Sequence, residues 1–200
     1  MIPSILVLTA LAAMPAPTNL ELAEAAVLEA VSEIPGDLAE LGVDTVVVEM
    51  AGDHAGGWLL EQTATSELSA GGVTVNAAEG ESARTAAYRL RLRPMELEVR
   101  YGESSRSWLI GTKKVARHAT CQISATLLGP SGQVMLATRY GADLSDRVPV
   151  SSLSQLAGDR GDPWLSPEMG EDGEGGILEP LIVSGVVASL IYLFYSSRAE

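Results

Sequence analysis

The chain has 200 residues and is 46% hydrophobic, enough for one folded domain with extra segments and too apolar for wholesale disorder. Its formal charge of −13, from 13 Lys and Arg against 26 Asp and Glu, excludes a general nucleic-acid binder, which needs a basic footprint. A single cysteine, Cys121, excludes an internal disulfide framework and a Cys-rich zinc site.

The first element is a short apolar run, Ile5 to Ala13, followed by Met14-Pro15-Ala16-Pro17. Nine helical residues reach about 14 Å, too short for a bilayer core of about 30 Å. Its length, position and small residues instead predict a secretory signal peptide over residues 1–16, although the segment before it has no Lys or Arg. Pro17 disfavours cleavage after Ala16, so Ala12 and Ala13 are equally good cut points.

Thr18-Asn19-Leu20-Glu21 fits a capping box, with Thr18 as N-cap. Leu20, Ala23, Val27, Ala30, Val31 and Ile34 then follow at helical spacing until Pro35-Gly36 breaks the run. Thr45 to Met50 is β-branched and predicts a central strand. Trp58 to Ala70 predicts a second helix with Leu59, Leu60, Thr63, Ala64 and Leu68 inward, ended by Gly71-Gly72; Val73 to Val75 is a brief strand.

From Ala87 the period becomes two. Tyr88, Leu90 and Leu92 alternate with Arg89, Arg91 and Arg93; beyond Pro94, Leu97, Val99 and Tyr101 alternate with Glu96, Glu98 and Arg100. Such strands have one buried and one solvated face. Cys121, Ile123, Ala125 and Leu127 continue the pattern, Gly129-Pro130-Ser131-Gly132 turns the chain, and Val134 to Tyr140 returns as a hairpin partner. The order predicts an α/β (α+β) fold, a two-layer sandwich with a mixed sheet and an antiparallel ribbon, spanning residues 18–157. Residues 158–176, rich in Gly, Asp, Glu and Pro, read as an acidic linker.

The last segment is apolar. Leu181 to Tyr195 carries no charge, and with Ile177 onwards the stretch reaches 19 residues, about 28 Å of helix and close to a span. A transmembrane helix over residues 177–195 would leave residues 196–200 as a short tail. Acidic residues before it and Arg198 after it place that tail in the cytoplasm and the domain outside. Ser184 with Ala188, and Gly185 with Ser189, are small-residue pairs that would let two such helices pack closely, so a homo-oligomer is compatible.

Catalytic signatures are weak. Gly52 to Gly57 sits between strand and helix, but Trp58 and Leu59 follow where a phosphate loop needs Lys and Ser or Thr. His54 and His118 are the only histidines, 64 positions apart, which gives a transition metal little to bind; His54 reads as an exposed loop residue. There is no Gly-x-Ser-x-Gly elbow, and Cys121 faces the core. No catalytic residue, metal site or cofactor is expected, and no enzymatic activity. What stands out is charge segregation. Thirteen acidic residues lie between Glu21 and Glu81, no Lys or Arg precedes Arg84, and nine of the thirteen Lys and Arg residues crowd into Arg84 to Arg117. Arg89, Arg91 and Arg93, on one strand face, are the candidate partner-binding residues; alternatively they are counter-charges for the acidic helices or for Glu96 and Glu98.

The strand Thr45–Met50, the helix from Trp58 through Leu68, Gly71-Gly72-Val73-Thr74-Val75 and the ribbon containing Gly129-Pro130-Ser131-Gly132-Gln133-Val134 together resemble the periplasmic α/β domain of CsgG-like and FlgO-like envelope proteins, over residues 40–140. Those families often use a lipidated N-terminal Cys, which this chain lacks; a C-terminal helix would replace it as anchor. The resemblance implies an interaction or scaffold domain in envelope assembly, with envelope proteins as partners and the periplasm as location. An anionic ligand, glycan or lipid headgroup, held by the Arg-rich strand is the alternative expectation.

Overall fold

A computed structural model describes residues 15–76, 88–106, 112–157 and 162–165. All but the last two residues of the signal peptide expected over 1–16, and the helix expected over 177–195 with Ser184, Gly185, Ala188 and Ser189, lie outside these residues. Among the described residues no helix is long and apolar enough to cross a membrane.

Helix α1 (Asn19–Val31) starts where the capping box places it. Thr18 Oγ1 accepts the Glu21 amide at 3.2 Å, and Glu21 Oε2 accepts the Thr18 amide at 2.6 Å. These bonds favour the ionised Glu21 carboxylate and hold its pKa below the ordinary 4.5. The chain does not leave helical geometry at Pro35-Gly36, as periodicity suggests; a short helix α2 (Ile34–Glu40) forms instead. Pro35 sits in its first turn, where its missing N–H would have no partner anyway and its fixed φ already suits a helix. Strand β1 (Thr45–Met50), helix α3 (Gly57–Ala70) and strand β2 (Thr74–Asn76) follow, making a parallel βαβ unit.

Three long strands complete the sheet: β3 (Tyr88–Arg106), β4 (Lys113–Leu128) and β5 (Val134–Pro149). Pro94 does not divide β3 in two. The strand passes through with a bulge between Pro94 and Glu96, which takes up Met95 as an extra residue and keeps Arg93 and Glu96 on one face. The five-stranded order is β2-β1-β3-β4-β5, with β1 parallel to β2 and β3, and the β3-β4-β5 ribbon antiparallel. A 3₁₀ turn (Val150–Ser152) and helix α4 (Leu153–Leu156) close a small second cluster with Val115 and Val148.

The three main helices cover one face. Val27, Val31, Leu60, Ala64 and Leu68 pack there on Val46, Leu90, Leu92, Leu97, Cys121, Ile123 and Leu127. This is the two-layer, mixed-sheet α/β arrangement that the sequence pattern predicts. Burial pushes the Cys121 thiol up to about 12, as suits a core residue. Tyr140 donates to Asp37 and so joins β5 to α2; burial and that carboxylate hold its phenol well above its ordinary value.

Two residues from the stretch read as linker belong to the core. Trp164 is 7% exposed and Leu165 3%, and the Trp164 carbonyl accepts the Val99 amide at 2.8 Å. The folded unit therefore reaches at least to Leu165. Gly56 makes room for this return: a Cβ there would lie 2.8 Å from Leu97 Cδ2 and 3.1 Å from Trp164 Cζ2.

Candidate functional site: the open face of the sheet

Strand parity sorts the long ribbon's charges. On β4 the odd positions from Val115 to Leu127 are buried under the helices, and the even ones face away. The register then places Glu49 beside Arg91 and Thr126, Arg93 beside Ser124 and Arg139, Glu98 beside Thr120 and Asp143, and Arg100 beside His118 and Ser145. All lie on the face that no described helix covers, a polar surface two or more strands wide.

Arg89, Arg91 and Arg93 come together here in one row along β3. They do not pair with Glu96 and Glu98, which instead flank Arg100, the first at 3.5 Å. Nor do they meet the acidic faces of α1 and α3, which lie on the far side of the sheet. Their carboxylate is Glu49 on β1, 3.8 Å from Arg89 and 3.4 Å from Arg91. Arg91 keeps 48% of its side chain exposed and Arg89 26%. Arg93 has no carboxylate within salt-bridge distance among the described residues.

The structure adds residues that sequence reading did not single out. Arg139, likewise without a carboxylate among the described residues, flanks Ser124 on the side opposite Arg93. With strands about 4.8 Å apart, the two arginine backbones stand about 10 Å from each other, with a hydroxyl between them. Their guanidiniums can converge on one carboxylate, sulfate or phosphate group. A shallow cleft of about 400 Å³ lies further along the face, lined by Arg100, Tyr101, His118, Thr120, Asp143 and Leu144 among others.

One arginine of the basic section faces the other way. Arg117, at an odd position of β4, is 0% exposed. Its Nε meets Asp146 Oδ1 at 2.9 Å and its second terminal nitrogen meets Oδ2, a bidentate pair; it also donates to Asn19 Oδ1 and the Pro17 carbonyl, each at 2.8 Å. Asn19, also 0% exposed, donates in turn to the Tyr101 hydroxyl and the Leu165 carbonyl, each at 2.6 Å. Period-two counting from Val115 was the signal that would have found this inward arginine.

The histidines stay apart. His54 is not an exposed loop residue: half-buried, its Nδ1 accepts the Gly56 amide at 3.0 Å and its ring meets Trp164 edge-on, centroids 6.1 Å apart. His118 stands exposed on the open face. Among the described residues no group of three or more His, Cys, Asp or Glu gathers that could hold a metal.

The fold and this face define a two-layer α/β domain with an arginine-bearing open sheet. No known protein family's profile matches the chain, the CsgG-like and FlgO-like families included, and no curated protein matches it. Among solved structures, a minor lipoprotein from Acinetobacter baumannii is similar at 16% identity and a TM-score of 0.37, over 57% of this chain and 77% of that one. A Helicobacter pylori homolog of a neuraminyllactose-binding hemagglutinin is similar at 14% identity and a TM-score of 0.33, over 54% of this chain and 66% of that one.

Proposed function

We propose that this is an extracytoplasmic, membrane-anchored interaction domain that receives an acidic protein partner on its open sheet face, as a scaffold in envelope assembly. The carrying observation is Arg93, exposed, without a carboxylate in reach among the described residues, and beside a second such arginine across Ser124. In a chain of net charge −13, a cationic row aimed away from its own acidic helices supports a reading in which it meets an external anion. The apolar segments at the two ends supply the export and anchoring parts of the reading. The proposed role is binding, without a chemical step.

The test compares the intact chain with Arg93→Glu as bait after mild detergent extraction. Capture should fall strongly in the variant and should weaken with salt above about 0.15 M, where the Debye length drops below about 8 Å. The melting temperature should hardly move, since exposed charges contribute about 0–1 kcal/mol per pair. Unchanged capture would reject the face. The spacing of Arg93 and Arg139 also favours a second reading, a compact anionic group on a glycan or lipid. Saturable binding to phosphatidylglycerol vesicles or a sulfated glycan, lost in Arg93→Glu, would select it.

A further inference from the structure

We infer that the outer edge of β5 joins two copies of this chain, antiparallel about a two-fold axis at Gly141, into one continuous sheet. Among the described residues β5 pairs on one side only, with β4. Its 16 residues therefore present a row of backbone N–H and C=O groups along the other side, a ready template for another strand. The opposite side is stepped: β2 has 3 residues, and β3, which β1 leaves after Leu92, is interrupted there by its Pro94–Glu96 bulge and by the Trp164 carbonyl on the Val99 amide.

The sequence of β5 selects the partner and the register. A two-fold axis at Gly141 sets Arg139 opposite Asp143 of the partner subunit, and symmetry repeats the pair with Asp143 opposite the partner's Arg139. Both pairs fall on the open face, where, among the described residues, Arg139 lacks a carboxylate and Asp143 accepts a hydrogen bond from Thr120 at 2.8 Å. On the helix-bearing face the same register sets Tyr140 opposite the partner's Ala142 and Thr138 opposite the partner's Leu144. Gly141 lies at the middle of the strand, so this axis pairs nearly its whole length. A Cβ at Gly141 would stand 3.3 Å from the Cys121 carbonyl oxygen of β4, a tight contact, and glycine inside a strand also leaves room for another backbone on its open side. Axes at Arg139 or at Asp143 would oppose like charges. An axis at Ser145 would pair Asp143 with Arg147, but it reaches Pro149 after about half the strand.

A different chain could use this edge, but no other occupant supplies the reciprocal pair by symmetry. The test is the mass of the intact chain in mild detergent, by sedimentation and light scattering. Wild type should be a dimer. Asp143→Arg should raise the dissociation constant at least about tenfold, since it sets like charges opposite each other twice. The swap Arg139→Asp with Asp143→Arg should restore the dimer, and Arg147→Glu should leave it intact. Circular dichroism of each variant confirms folding, and the swap keeps the test decisive should the single reversal unfold. A monomeric wild type, a dimer indifferent to Asp143→Arg (including one held through other segments), or a swap that fails to restore it would overturn the proposal. In the dimer the partner's Asp143 takes Arg139 and leaves Arg93 to the external anion; capture through Arg93 is read separately, so failure of one does not imply failure of the other.

Discussion

Replacing Asp146 with Ala isolates the energetics of the buried guanidinium. Arg117 is 0% exposed and would keep only two neutral acceptors, the Pro17 carbonyl and Asn19 Oδ1. Stranding one member of a buried pair costs about 3–5 kcal/mol. Asp146 is itself 26% exposed, so water can partly replace it and the lower end, about 3 kcal/mol, applies. For a folded unit of roughly 150 residues that is a fall of roughly 6–12 °C in Tm, read by calorimetry or circular dichroism on the intact chain. Replacing both partners with apolar residues, Arg117→Met with Asp146→Leu, should cost far less than the sum of the single changes, because no orphaned charge remains. A shift under about 2 °C for Asp146→Ala would show that Arg117 is solvated and that the network does not hold this end of the sheet.

Thr18→Ala should cost about 1 kcal/mol through loss of the N-cap, read from denaturant midpoints. Because the folded Glu21 carboxyl titrates below its ordinary value, the stability it contributes is present above pH 4.5 and fades as pH falls through the lowered folded value; Glu21→Gln should flatten that part of the stability–pH curve. Cys121, with its thiol pushed up to about 12, should resist iodoacetamide at pH 8 in the folded chain and react fully in guanidinium, as mass spectrometry would show. Gly56→Ala should destabilise by about 1–3 kcal/mol, because Leu97 and the Trp164 ring must both shift to admit the methyl group; an unchanged melting temperature would mean that Trp164 is not docked there.

Elements that declare themselves by local chemistry were legible in the sequence. The Thr18–Glu21 box, the inward face of α3 and the hairpin about Gly129–Gly132 each carry their signal within a few residues. α2 was hidden because Ile34-Pro35-Gly36 gives the same signal for a helix end and for a helix beginning. The alternation changes phase at Pro94, but only the partner strand reveals that a one-residue bulge accounts for it. The arginine row was partly legible: alternation put Arg89, Arg91 and Arg93 on one face. That Glu49 serves two of them, and that Arg139 stands two strands from Arg93, depends on cross-strand register, which no local pattern encodes. Trp164 was missed because its neighbours are those of a linker.

The Asn19 amide donates to the Leu165 carbonyl, so the two ends of the described part of this domain are hydrogen-bonded neighbours, 146 positions apart. Tension applied at both ends would therefore load that local knot of Asn19, Arg117, Asp146 and Tyr101 first, and would reach the strand ladders only after it yields. A tug at one end alone would turn the domain like a pennant on its staff and leave the sheet unstretched. The same geometry makes the domain a self-contained insert: joined through a short linker to residues that stand close together in a host protein, it would neither splay the host nor be stretched by it.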